Sequence, residues 1–275
     1  MDNVQLTMNV SAARTVFQYK SRSDTTIVHC QLSIESAEQG GFLAMNEFIY
    51  RRKSVRKFDP APLPANALED VRAQIGRVKP LYPQINYSIS ISDKTKGIFN
   101  VKAPHYLIFS SEETDGAPEN IGFIGQQLDL FLSAAGIGSC WLGVAKPHKG
   151  DTASLPHMIC MAFGKASEPL HREMLQFKRK PLSDISEGAD ARLEAARLAP
   201  SAVNGQNWYF IADNGKIHCY RKKLRPLQAL VYSKMVAIDM GIAICHIAEE
   251  TEDFRFVQEA GAPARKGYIY SGTVG

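Results

Sequence analysis

The sequence predicts an α+β fold, and three observations carry that reading. Strand-like and helix-like patterns are mixed along the chain from residue 48 onward, with no internal repeat of solenoid length. The dipeptide Asn214-Gly215 joins two apolar runs, which is the turn chemistry of a β-hairpin. A chain of 275 residues with 45% hydrophobic content can bury a full core, as one large domain or two small ones.

Taken in order, residues 1–44 are rich in Ser and Thr, show no sustained period and end in Gln39-Gly40-Gly41. They are expected to be poorly ordered or loosely attached, and Met45 is a candidate natural start. Leu68, Val71 and Ile75, behind Pro64, predict a helix over 64–77. Residues 87–91 alternate as a strand with one polar face, and Tyr106-Leu107-Ile108-Phe109 reads as a buried strand. Over 119–135 the stripe Ile121, Ile124, Leu128, Leu132 and Ala135 predicts a helix, preceded by Pro118 and stopped by Gly136. Gly122 and Gly125 would let another backbone come close to it. Residues 157–163 predict a buried strand ended by Gly164. Residues 191–198 are strong helix formers, and Pro200 disfavours the helical state at Ala199. The hairpin strands cover 208–213 and 216–220. Val236, Met240, Ala243, Ile244 and Ile247 predict a final helix with Ser233 as its N-cap, and a strand over 267–270 closes the chain.

The charge balance of 32 basic against 28 acidic residues leaves +4, too mild to imply a nucleic-acid partner. No apolar run approaches membrane-spanning length and the N-terminus lacks a basic-then-apolar signal pattern, so no membrane association is expected. Cys30, Cys140, Cys160, Cys219 and Cys245 are odd in number, scattered and free of any CxxC pair. That pattern argues for buried thiols in a reducing compartment, with the cytoplasm as the default. His105, His157, His218 and His246 form no ligand-spaced cluster, so no metal is expected.

Four stretches could carry chemistry. Arg51-Arg52-Lys53-Ser54-Val55-Arg56-Lys57 packs five cations and a serine into seven residues. This composition suits a solvated basic face, and equally a phosphate clamp in which Arg forks and a hydroxyl satisfy several oxygens together. Each charge-assisted bond in such a clamp contributes roughly 1.5–3 kcal/mol. Lys178-Arg179-Lys180, ahead of Pro181, is solvated if alone, or closes the same site from a second side. Ala199 to Trp208 offers a hydroxyl (Ser201) and two amides (Asn204, Gln206) beside Pro200 and Gly205. It reads either as a helix stop with a polar turn or as the edge partner of a flat heteroaromatic ligand. Gly136-Ile137-Gly138-Ser139-Cys140-Trp141-Leu142-Gly143 is no dinucleotide fingerprint, since it follows a helix and places Trp141 at the third glycine position. It contains no GxSxG elbow either, and Cys140 reads as a packed thiol. No catalytic side chain is assigned.

Together these stretches resemble the nitroreductase-like flavoproteins, in particular their tandem-half branch first noticed in thermophilic bacteria, over about residues 46–275. Arg52-Lys53-Ser54-Val55-Arg56-Lys57-Phe58 is similar to the family's opening Arg-Arg-Ser-x-Arg-x-Phe element, which grips the FMN phosphate. Ala199 to Trp208 is similar to its Ala-Pro-Ser-x-x-Asn-x-Gln-Pro-Trp element beside the flavin ring, with Asn207 in place of Pro. Gly136 to Gly143 is similar to its Gly-Leu-Gly-Ser-Cys-Trp-x-Gly loop, which backs the isoalloxazine. Lys178-Arg179-Lys180-Pro181-Leu182 is similar to its basic segment on the phosphate.

The resemblance implies a mixed or antiparallel sheet flanked by helices and an FMN site. Its residues would be Arg52, Lys53, Ser54, Arg56, Lys178, Arg179 and Lys180 at the phosphate. Cys140, Trp141, Leu142, Gly143 and Val144 would back the ring, and Pro200, Ser201, Asn204 and Gln206 would lie beside it. Ordinary members are homodimers in which one subunit supplies the cations and the other the Ala-Pro-Ser loop, and that loop precedes the Gly-Leu-Gly loop in their sequences. Here the order is reversed and each motif occurs once. Two half-subunits fused in tandem are therefore expected, 45–185 and a truncated 186–275, as a monomeric pseudo-dimer with one flavin. The implied activity is an FMN-dependent oxidoreductase taking hydride from NADH or NADPH and reducing a small planar acceptor, such as a nitroaromatic or quinone, by ping-pong kinetics. The alternatives are a non-catalytic flavin or planar-ligand binder on the same fold, and a nucleic-acid module built on the basic clusters. The acceptor and the choice between NADH and NADPH are not legible.

Overall fold

The computed structural model describes residues 45–97, 101–148 and 154–275. The described residues belong to one compact unit; the expectation for 1–44, and Cys30 with it, lies outside the described residues.

A short α1 (Asn46–Ile49) places Phe48 and Ile49 in the core. After Pro64, α2 (Ala65–Ile75) buries Val71 and ends at Gly76, within two residues of the predicted limits. β1 (Tyr87–Ser92) and the two-residue β2 (Thr95–Lys96) precede β3 (His105–Ser111), which is buried along its whole length as a continuous apolar run requires. Gly116, at φ 84°, turns the chain into α3 (Ala117–Ala134), and Gly136, at φ 75°, ends it. Unlike a surface helix with one apolar stripe, α3 is buried on nearly every side, because a sheet lies against it and a second helix crosses it.

Next come β4 (Gly138–Leu142), β5 (Lys146–Pro147) and β6 (His157–Gly164). The stretch expected as a loop over 136–143 is thus mostly strand. Gly138 is small for a packing reason: a Cβ there would lie 3.0 Å from the side chain of Val55. The extended segment 52–58 runs along this edge of the sheet, with Val55 N–H donating to Ser139 O at 2.8 Å.

α4 (Leu182–Ile185), β7 (Ser186–Glu187) and α5 (Arg192–Leu198) lead to the hairpin of β8 (Trp208–Asp213) and β9 (Lys216–Lys222). Its turn residues Asn214 (φ 49°) and Gly215 (φ 75°) both adopt the positive φ of a type I′ turn. α6 (Pro226–Glu249), β10 (Phe256–Val257) and β11 (Tyr268–Val274) complete the chain. Ser233 is not the N-cap of α6. The helix starts seven residues earlier, with Pro226 at its first position and Arg225 as the cap. Its first turns stand exposed, so the apolar stripe from Val236 marks where burial begins rather than where the helix begins. Nor does the chain lack an apolar run of spanning length: α6 has 24 residues and a mean hydropathy of 1.5 over its most apolar window. That window is 67% buried, and α6 is a core helix packed on α3, α5 and the second sheet. β11 runs four residues past the predicted end, through a bulge at Ser271, with Gly272 accommodating the ring of Phe256.

The two main sheets share one strand order. The first runs β1-β3-β6-β4 and the second β8-β9-β11-β10, every neighbouring pair antiparallel, with β7 added in parallel outside β8. A long helix separates the second and third strands in chain order of each set, α3 in one and α6 in the other. These two helices cross at glycine. A Cβ on Gly122 would lie 2.0 Å from Ile238 O, and one on Gly241 would lie 1.9 Å from Glu119 O. The relation is reciprocal, as at an isologous dimer contact. Next to each carbonyl, Asn120 Oδ1 accepts from Tyr82 N–H at 3.0 Å and Asp239 Oδ1 accepts from Ala202 N–H at 2.9 Å. Gly125 admits the indole of Trp141 rather than another backbone.

Candidate functional site

The basic segment 52–58 is fixed on both sides. Ser54 bridges Ser139 of β4, while Arg52 and Phe58 bridge His171 and Ala166 in the segment that follows β6. Arg52 is 1% exposed, and its Nε lies 2.8 Å from Asp129 Oδ2 of α3, an ion pair by distance whose angle falls short of a hydrogen bond. Arg52 Nη2 donates to Ser54 Oγ at 3.3 Å, and Nη1 is buried without a hydrogen-bond partner among the described residues. Arg56 is exposed; Lys53 lies 3.6 Å from Glu168, whose carboxyl is held below its ordinary range first by the Arg56 N–H.

A further guanidinium joins these, one that the motif reading missed. Arg172 Nε donates to Arg52 O at 3.0 Å, and its guanidinium stands 4.5 Å over the ring of Phe177. Arg179 stands 5.7 Å from the same ring. Both guanidiniums are pulled down to about 10, by burial first and then by the other cations: Arg52 and Arg56 acting on Arg172, and Arg172, Arg52 and Arg197 on Arg179. Arg179 Nε is also buried without a hydrogen-bond partner among the described residues. Several guanidiniums thus share one low-dielectric place, with Asp129 as the carboxylate paired to Arg52. Such a donor set fits an anion with several oxygens, a phosphate above all.

Two of the sequence motifs meet by direct hydrogen bonds. Asn204 Oδ1 accepts from Arg179 Nη1 at 2.7 Å and Asn204 Nδ2 donates to Lys178 O at 2.8 Å. Gln206 Oε1 accepts from Lys180 N–H at 2.7 Å, and Lys180 Nζ reaches Gly205 O at 2.9 Å. Ser201 Oγ closes the loop by accepting from Gln206 N–H at 3.0 Å, next to the buried Pro200. On β4, strand alternation sends side chains to opposite faces. Trp141 faces α3, stacking on Phe109 at 5.7 Å, whereas Cys140 and Leu142 pack with Tyr106, Ile108 and Cys160 on the other side. Burial pushes the Cys140 thiol up, consistent with a packed group. Gly143 and Val144 lie exposed at the strand's end, Gly143 beside Met235 of α6.

The sequence profile described as "Putative TM nitroreductase" matches residues 44–250. This chain belongs to that nitroreductase family. A crystal structure titled as a "putative nitroreductase" from Thermotoga maritima MSB8 covers 88% of this chain and 97% of its own, at 21% identity and a TM-score of 0.58, and shows the nitroreductase fold. An FMN-dependent nitroreductase from Clostridium difficile R20291 (15% identity, 46% and 88% coverage, TM-score 0.38) also aligns. So does a nitroreductase with bound FMN from Desulfitobacterium hafniense DCB-2 (11% identity, 47% and 92% coverage, TM-score 0.39). No curated protein matches the sequence.

In this nitroreductase family member the loop after Pro200 is held in a costly conformation. Val203, Asn204 and Gln206 adopt φ of 48°, 55° and 47°, and Val203, β-branched and 94% exposed, gains no packing in return. The anchors on Asp239, Arg179 and Lys180 over-determine it, so that the strain persists. Val203→Gly should therefore stabilise the fold by about 1 kcal/mol in urea unfolding. A loss of stability would mean that the loop is relaxed as it stands.

Proposed function

We propose that this chain is an FMN-dependent oxidoreductase that takes electrons from NADH or NADPH and passes them to a small planar acceptor such as a nitroaromatic or quinone. The observation that carries the reading is that Arg52 Nη1 and Arg179 Nε are buried donors without a hydrogen-bond partner among the described residues, set among the other guanidiniums beside the Ser201–Gln206 loop. Bound FMN would supply reversible two-electron chemistry. The chain's own task is then to bind and orient. Arg52, Arg56, Arg172 and Arg179 would hold the phosphate, with Ser54, Lys53, Lys178 and Lys180 at its margin. The backbone N–H groups of Gly143 and Val144 would meet one edge of the ring, and the Pro200–Gln206 loop another.

The repeated strand order, the reciprocal glycine crossing and the matched Asn120 and Asp239 contacts support a pseudo-dimer of halves 45–185 and 186–275. At the counterpart of Ala202, Tyr82 packs edge-on to Phe256 at 5.9 Å and donates to Ser271 O, so no loop like Pro200–Gln206 is offered there. This supports one flavin per chain and a unit that works without a partner copy. The four cysteines among the described residues are buried and free, which supports a reducing compartment, the cytoplasm.

The test is to purify the chain, record its visible spectrum and chromatograph the released chromophore. About one FMN per chain is expected from one composite site, with pyridine-nucleotide oxidation coupled to a quinone or nitroarene. The double variant Arg52→Ala/Arg56→Ala should lose the flavin. A colourless protein that takes up no added FMN would end the proposal.

A further inference from the structure

Asp129 lies in the middle of α3 and is fully buried. Its Oδ2 faces Arg52 Nε at 2.8 Å and accepts from Gln126 Nε2 at 3.0 Å, while Oδ1 accepts from Ser139 Oγ. Gln126 is equally committed. Its Oε1 accepts from Trp141 Nε1 at 3.3 Å, and its Nε2 also lies 3.1 Å from His246 Nε2 in α6. An amide NH₂ has two protons, so one goes to Asp129 and the other to His246, which must then accept on Nε2. The imidazole completes the chain by donating Nδ1–H to Ala195 O at 2.8 Å, in the helix that leads into the Pro200 loop. Burial keeps this ring neutral, with its pKa down at about 3. Every side-chain donor and acceptor of Gln126 and His246 is used, a state in which a buried polar network fixes one arrangement of its parts.

We infer that Asp129 is the positioning residue of the phosphate site: it aims Arg52 so that Nη1 is left for the ligand, and it ties that aim through Gln126 and His246 to the packing of α6 and α5. The inference rests on the phosphate reading above. Geometry gives the reason. Arg52 is anchored at Nε by Asp129 and at Nη2 by Ser54, so the guanidinium plane is set and one end of the fork has no protein partner. An Asn at 129 would present an N–H or a weaker acceptor to a buried cation, and the fork would swing or withdraw.

The experiment measures dissociation constants for FMN and riboflavin on Asp129→Asn, Arg52→Ala and the double variant. Riboflavin lacks the phosphate, so the ratio of the two reports on the aim of Arg52 rather than on general integrity. Asp129→Asn should weaken FMN by about 10- to 100-fold, the worth of one charge-assisted bond, and leave riboflavin within about threefold. The double variant should bind FMN within about threefold of Arg52→Ala alone, since residues that act as one unit are not additive. Equal loss of both flavins, or additive losses in the double variant, would overturn the inference. Ser139→Ala keeps the charges balanced and removes one bond to Asp129; it gives the same selective loss, smaller, if Asp129→Asn does not fold. Inorganic phosphate is titrated in parallel by thermal shift, so that a chain binding neither flavin, which would sink the function proposed above, still reports on Arg52. The inference stands if phosphate raises the Tm of the wild type and not of the variant, and falls if the two respond alike.

Discussion

Replacing Gly241 with Ala should destabilise the protein by roughly 3–5 kcal/mol, a large part of the stability of an ordinary domain. The added methyl would sit 1.9 Å from Glu119 O and 2.9 Å from Phe123 N, both backbone atoms of α3 that no rotamer change can move. Overpacking against side chains costs about 1–3 kcal/mol because they can yield; here the two helices must part. Parting them stretches the contacts that span the crossing, including Gln126 to His246 at 3.1 Å. Gly122→Ala meets Ile238 O at 2.0 Å from the other side and should behave alike. The double variant supplies the sharper result. Once one methyl has separated the helices, the second fits with little further cost, so the two losses should be clearly less than additive. Gly261→Ala, which meets nothing within 4 Å, is the control and should fall within about 0.5 kcal/mol of the wild type. Urea unfolding of the four variants decides it; near-native stability of Gly241→Ala would mean that the two helices part at little cost.

What could be read from the sequence follows how local each cause is. The Asn214-Gly215 hairpin was legible because a type I′ turn demands positive φ at two adjacent residues, and those two supply it. The end of α5 was legible because Pro200 acts on its immediate neighbour, and Ala199 indeed leaves the helix at ψ 142°. The start of α6 was not, because hydrophobic spacing records burial, and residues 226–235 are helical without being buried. β4 was misread as a loop for a related reason. The family element it resembles is a loop, whereas here the missing side chain of Gly138 serves Val55, more than eighty positions away in sequence. At the site, the basic runs announced themselves by composition, and the contacts of Asn204 with Arg179 and Gln206 with Lys180 join two of the stretches singled out. Arg172 and Asp129 gave no local signal. One is a lone arginine beside His171, the other a polar position in an apolar helix, and only the tertiary path to Arg52 gives them a role.

Asp239→Asn should raise stability at pH 8 by about 1–3 kcal/mol and remove most of a pH dependence that the wild type carries between pH 4 and 7. Asp239 is 4% exposed; its Oδ1 takes the Ala202 N–H and its Oδ2 is buried without a hydrogen-bond partner among the described residues. Burial raises the carboxyl from 3.8 to about 7, with the Ala202 N–H the one opposing influence. The sign follows. Between these values the folded protein keeps a proton that the unfolded chain has released, so stability falls as pH rises through the window and levels off above 7. A shift of about three units corresponds to a loss of roughly 4 kcal/mol. An Asn keeps the acceptor for Ala202 and has no charge to bury, at the cost of leaving an amide N–H unpartnered, which returns about 1–3 kcal/mol of the gain. The chain already contains this solution. Asn120 occupies the reciprocal position on α3 and accepts from Tyr82 N–H at 3.0 Å with a neutral side chain. Unfolding free energies of wild type and variant at pH 4, 6 and 8 supply the comparison, because other titrating groups cancel in the difference. Parallel pH profiles would show that Asp239 is ionised and solvated in the folded protein.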